Sequence, residues 1–217
     1  MKIGTVEVRL VVGAGGSGPL RLGLYLHGDG AAAHTSNSAL KAMINWADSK
    51  HGLGVSVLAP NGCSWWQSPA YTCTGGSVPD DDAANATALV AALEAITKAY
   101  DVRGDGVRYY GSSGGSIFLT EEWIPLQGAG YPGVFALMCG GVTPRTYAWD
   151  TDNALLVVRN RLWFTYGDQD SLVPDINKSV AAFKSKSFVV TSKVIPNAGH
   201  CEFDSHGEAV GIWSANP

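Results

Sequence analysis

Gly111-Ser112-Ser113-Gly114-Gly115 fits the G-x-S-x-G spacing of a nucleophile elbow, a sharp turn that lifts a serine between a strand and a helix. Ser113 is the central serine. A neutral hydroxyl is a poor nucleophile without an oriented base, so the pattern matters only if an acid and a histidine follow at later strand ends. Both follow. Gly167-Asp168-Gln169-Asp170 and Gly199-His200 are exit turns of two later apolar runs. Asp170 is preferred to Asp168 because it stands in the turn just before Pro174 and a following helix, whereas Asp168 can brace the turn through its own backbone. His200 is the expected base, with His206 as its competitor. The two backbone donors expected for an oxyanion are the N–H groups of Asp29, after His27-Gly28, and of Gly114. The ring of His27 itself reads as a core histidine bonded to backbone, and His34 as a surface residue.

These groups need strands to carry them. Thr5 to Val12 alternates as a half-buried strand and is expected to pair antiparallel with the next, Leu20 to Leu26, which ends at His27. Ser36 or Asn37 can cap a helix reaching about Ser49, with Leu40, Met43, Ile44 and Ala47 on one face. Val55 to Leu58 is a continuous apolar run, the mark of a strand covered on both sides, so the sheet becomes parallel there. Asp80-Asp81-Asp82 opens a helix to about Tyr100, where negative charge complements the dipole; adjacent acids point around a helix and do not converge on a metal. Val107 to Tyr110 is the elbow strand, followed by a helix from Ser116 until Pro125 interferes. Further strands are expected over Gly133 to Met138, Arg161 to Tyr166 and Phe188 to Ile195, and a helix over Asp175 to Ser185.

Pro60 to Pro79 has no period and holds Trp65, Trp66 and Tyr71. Loops at the carboxyl ends of parallel strands face the ligand, so these aromatics are candidate substrate-binding residues; anchoring the loop is the equal alternative. The four cysteines lack paired C-x-x-C spacing, and no metal is expected. Cys63 and Cys73 bracket one short loop and could be joined in an exported protein. Cys139, at a strand end, reads as a small buried hydrophobe, and Cys201 is ambiguous beside His200.

With 217 residues, one domain over 1–217 is expected. Net charge is −4 and charged residues are 16%, so no basic face invites nucleic acid and uncharged substrates fit better. The alternating strand begins almost at Met1, so no signal peptide is expected within the chain, and no apolar run suffices to span a membrane. The 27 glycines and seven tryptophans have the flavour of secreted polymer-acting enzymes, and a leader removed ahead of Met1 is compatible with them. Compartment and oligomeric state stay open.

Together these segments resemble the α/β-hydrolase esterases that include polyhydroxybutyrate depolymerases, feruloyl esterases and acetyl xylan esterases. The resemblance rests on Leu26-His27-Gly28, Ala59-Pro60-Asn61-Gly62-Cys63 with Trp65 and Trp66, Asp81-Asp82, Tyr100-Asp101-Val102, the elbow, Cys139-Gly140-Gly141, Gly167 to Asp170 and Gly199-His200. It implies an α/β-hydrolase fold, a mostly parallel central sheet with helices on both faces and no large lid domain. It also implies a Ser113, Asp170 and His200 triad, an Asp29 and Gly114 oxyanion hole, no cofactor, and hydrolysis of short acyl, aryl or polymer-linked esters. A peptidase of the same fold, and a polymer- or carbohydrate-binding module on an inactive scaffold, are the alternatives.

Overall fold

The computed structural model describes residues 1–3, 6–66, 82–145 and 154–216. Its eight strands are β1 (Lys2–Ile3), β2 (Val6–Val12), β3 (Arg21–Leu26), β4 (Gly52–Val57), β5 (Val107–Ser112), β6 (Gly133–Met138), β7 (Arg161–Gly167) and β8 (Val189–Ile195). They form one sheet in the order β1-β2-β4-β3-β5-β6-β7-β8. From β4 to β8 every neighbour pair is parallel, and β2 joins β4 antiparallel. The expected β2–β3 pairing is therefore corrected. Both hydrogen-bonding edges of β3 are occupied, by β4 and β5, which leaves the far edge of β4 for β2.

The helices are α1 (Ala32–Thr35), α2 (Ser38–Lys50), α3 (Asp82–Ala99), α4 (Gly114–Phe118), α5 (Ile124–Gln127), α6 (Ala154–Val158), α7 (Val173–Ser185) and α8 (Ser205–Ala215). Alternation along the strands divides the core in two. Leu22, Leu24 and Leu26 face a cluster with Leu89 and Leu93 of α3, Phe118 and Phe183, while Tyr25 faces another with Met43 and Trp46 of α2 and Trp213 of α8. Helices thus cover both faces. At about 25 cal/mol per Å² of apolar surface, each such large buried side chain supplies a few kcal/mol against chain entropy.

Between α4 and α5 the helix widens into a π-turn, Leu119–Trp123. Pro125 is the physical reason: it has no N–H for the carbonyl of Glu121, and its ring crowds that carbonyl in a regular α-helix. The Glu121 carbonyl instead accepts the backbone N–H of Arg145 at 3.3 Å. His34 is corrected from surface to core: it is buried, with Nδ1 2.8 Å from Ser56 Oγ.

Candidate active site

Strand β5 delivers Ser113 at the carboxyl edge of the sheet. Its backbone is at φ 49°, ψ −114°, outside the ordinary regions for a side-chain-bearing residue, a strain of order 1–3 kcal/mol that only tight surroundings sustain. Those surroundings are close: a β-carbon on Gly115 would lie 2.8 Å from the His27 carbonyl oxygen. The Ser113 N–H donates to the Met138 carbonyl at 2.9 Å, fixing the turn to β6.

His200 lies on the loop after β8, its side chain 41% exposed, and its Nε2 is 2.9 Å from Ser113 Oγ. Its Nδ1 is 3.0 and 2.9 Å from the two carboxylate oxygens of Asp170, which is fully buried. Asp170 Oδ1 also accepts the Leu172 N–H at 2.9 Å, which fixes the acid's rotamer. The tautomer follows: Nδ1–H donates to Asp170, leaving Nε2 to accept a hydrogen bond from the Ser113 hydroxyl. Asp168 is exposed, and its N–H is used on the Ile195 carbonyl. His206, on α8, is 2.9 Å from Tyr110 Oη through Nδ1, and it is His200 that meets Ser113 Oγ.

The loop after β3 is set by His27. The Ala59 N–H donates to His27 Nε2 at 3.0 Å, so the ring's proton is on Nδ1, which donates to the Gly28 carbonyl at 2.7 Å. That carbonyl also accepts the Ala31 N–H at 3.1 Å. Because the peptide is planar and trans, holding the Gly28 C=O aims the Asp29 N–H the opposite way. Among the described residues neither the Asp29 nor the Gly114 N–H is taken by a backbone carbonyl. Burial lowers the His27 pKa to about 4, which keeps the ring neutral as the Ala59 bond requires.

The aromatic candidates separate. Trp65 is fully buried, its ring 5.4 Å from Phe118 and 5.9 Å from His27, so it is a core residue; of its two readings, substrate contact is corrected to anchoring of the loop. Trp66 is half-buried, with Nε1 3.2 Å from both Asp29 carboxylate oxygens. Ser64 Oγ donates to Asp29 Oδ1 at 2.7 Å, and Asn61 Oδ1 accepts the N–H groups of Cys63 and Ser64, both at 2.9 Å. Sequence reasoning passed over this network, although Asn61-Gly62 is a turn signal. Tyr71, Cys73, Asp80 and Asp81 lie outside the described residues.

Cys139 is corrected from a free hydrophobe: it is joined to Cys201 in a disulfide. An even cysteine count was the available signal, but four cysteines permit three connectivities. Cys63 is also disulfide-bonded. Among the described residues no group of three or more His, Cys, Asp or Glu could hold a metal ion, and no helix is long and apolar enough to cross a membrane.

No protein-family model matches the chain. No curated protein matches it either. Solved structures do. A carboxylesterase from Mesorhizobium loti superposes with a TM-score of 0.74 at 19% identity, over 98% of this chain and 96% of that one. The Bacillus cereus carboxylesterase gives 0.70 at 16%, over 97% and 94%. Est1E from Butyrivibrio proteoclasticus, also solved with ferulic acid bound, gives 0.63 at 13%, over 97% and 93% of the respective chains for the first of these structures. With the strand order, the elbow and these superpositions together, the chain has the α/β-hydrolase fold.

Proposed function

We propose that the protein is a serine carboxylic-ester hydrolase acting on short acyl, aryl (feruloyl-type) or polymer-linked esters. The observation that carries the reading is the chain of contacts from Ser113 Oγ to His200 Nε2 and from His200 Nδ1 to Asp170, at a strained elbow. Ser113 Oγ attacks the ester carbonyl as His200 Nε2 takes its proton; the tetrahedral oxyanion is held by the N–H groups of Asp29 and Gly114. Collapse expels the alcohol, which receives the proton from His200, and leaves an acyl-Ser113. Water, deprotonated by the same imidazole, then attacks the acyl carbon and regenerates the serine. Asp170 keeps its charge and steadies the imidazolium. Est1E's binding of ferulic acid favours aryl esters among the substrates to try first.

The test is hydrolysis of p-nitrophenyl acetate and butyrate by the wild type and by Ser113→Ala. We expect turnover to fall by at least about a thousandfold, with loss of fluorophosphonate labelling. Turnover at the wild-type rate in Ser113→Ala removes Ser113 from the role. A panel of acetyl, butyryl, feruloyl and polyester substrates then ranks the acyl and alcohol preferences.

A further inference from the structure

The Asp170 and Ser113 sides of His200 are held by different means. Towards Asp170 the backbone does the work: the Ala198 carbonyl accepts the Gln169 N–H at 2.9 Å and the Ile195 carbonyl accepts the Asp168 N–H at 3.0 Å. These bonds stitch the loop after β8 to the loop after β7. Towards Ser113, no backbone hydrogen bond among the described residues joins residues 199–204 to the elbow. His200 is on irregular backbone, beyond an edge strand that is largely exposed.

The Cys139–Cys201 disulfide spans this gap, across 62 residues of sequence. Cys201 is the next residue after His200. Cys139 is the first residue after β6 and is fully buried, with its N–H donated to the Thr165 carbonyl of β7 at 2.9 Å. Its other neighbour, Met138, accepts both the Ser113 N–H at 2.9 Å and the Ser116 hydroxyl at 3.0 Å. A ring thus closes from Ser113 through Met138, Cys139, Cys201 and His200 back to Ser113 Oγ; its two links at Ser113 are hydrogen bonds, and the rest are peptide bonds and the disulfide. Both cysteines sit in the left-handed region, at φ 52° and 55°. That conformation costs a side-chain-bearing residue roughly 1–2 kcal/mol and persists where surroundings over-determine it.

We propose that Cys139 and Cys201 are positioning residues whose disulfide sets the reach of His200 Nε2 to Ser113 Oγ, so that acyl transfer depends on its being oxidised. The proposal rests on the reading of Ser113 and His200 as nucleophile and base. A general base displaced by about 1 Å loses on the order of a hundredfold in rate while the substrate still binds. A dithiol reductant breaks the S–S bond: Cys139 and Cys201 gain two electrons and two protons as thiols, and the reductant becomes its cyclic disulfide.

The experiment uses the full chain and p-nitrophenyl butyrate, well below the melting temperature of each variant. Cys139→Ala/Cys201→Ala is expected to lower kcat and the rate of fluorophosphonate labelling about 10- to 100-fold, with KM within about twofold of the wild type. A folded double variant with kcat within about twofold of wild type overturns the proposal even if its Tm falls, because the bond is then only a staple. If the double variant does not fold, the wild type is titrated with dithiothreitol, with alkylation of Cys63, Cys139 and Cys201 read by mass spectrometry, so that kcat is compared with the fraction reduced at Cys139 and Cys201 while Cys63 stays oxidised, and with folding followed by near-ultraviolet circular dichroism. Loss of kcat with retained tertiary signal, restored on reoxidation, supports it. Unchanged kcat, or unfolding on reduction, overturns it. Oxidised wild type and Ser113→Ala are assayed alongside, so absence of any Ser113-dependent hydrolysis marks failure of the esterase reading instead.

Discussion

The indole Nε1 of Trp66 stands 3.2 Å from both carboxylate oxygens of Asp29, tying the loop after β4 to the loop that carries one of the two proposed oxyanion donors. Gly114, which carries the other proposed donor, packs against this pair. The donors are therefore set by one small assembly, in which side chains hold the backbone in place.

A side chain at residue 114 should disturb that assembly. A β-carbon there would overlap the Asp29 carboxylate and lie 2.9 Å from Trp66 Cδ1. Gly114→Ala is expected to lower kcat about a hundredfold, comparable to losing one oxyanion donor, with the fold retained by circular dichroism. Kinetics equal to wild type would show that the loops yield without cost.

The two acids of the β7 exit turn should differ sharply. Asp170→Asn keeps the shape of the contact with His200 but favours the wrong tautomer, so kcat is expected to fall by about 10³ to 10⁴. Asp168→Asn, at an exposed side chain, is expected to stay within about twofold. Measured kcat values in the reverse order would hand the role to Asp168.

Neighbouring tryptophans should separate stability from binding. Trp65→Ala empties a fully buried core position and is expected to cost about 3 to 5 kcal/mol in denaturant unfolding. Trp66→Ala is expected to cost less stability and to raise KM or lower kcat through the Asp29 loop. Equal stability losses in the two variants would contradict this division.

Stability should fall with acid partly through buried histidines. Burial lowers His27 from 6.5 to about 4, and it lowers His34 and His206 in the same direction. Between those two values the unfolded chain binds more protons at residue 27 than the folded one. Its contribution is thus full above about pH 6.5 and is lost as pH falls towards about 4, on the order of 3 kcal/mol for His27. Unfolding free energies measured across that window should show a smaller acid loss in His27→Gln than in wild type. Identical slopes would mean that His27 is not the group titrating.

The sequence by itself determined what depends on neighbours along the chain. The elbow glycines around Ser113, the apolar runs of β6 and β7, and the Ser, Asp, His order at strand ends were legible because backbone sterics and the two-residue strand period are local. Pro125 was legible as a disturbance, but not its form: the preceding turn widens and the helix runs on through Pro125 to Gln127. Tertiary structure decided what depends on segments far apart. Alternation cannot tell β2 whether β3 or β4 has a free edge, and four cysteines do not say which two will meet. Trp65 and Trp66 look alike in a loop, but Trp65 packs against Phe118 and Trp66 meets Asp29. Asp170 was separable from Asp168 only by preference, until folding buried one carboxylate against His200 and left the other in solvent. The physical reason is common to these cases: burial and pairing are set by which surfaces meet, and that is fixed only when the whole sheet closes.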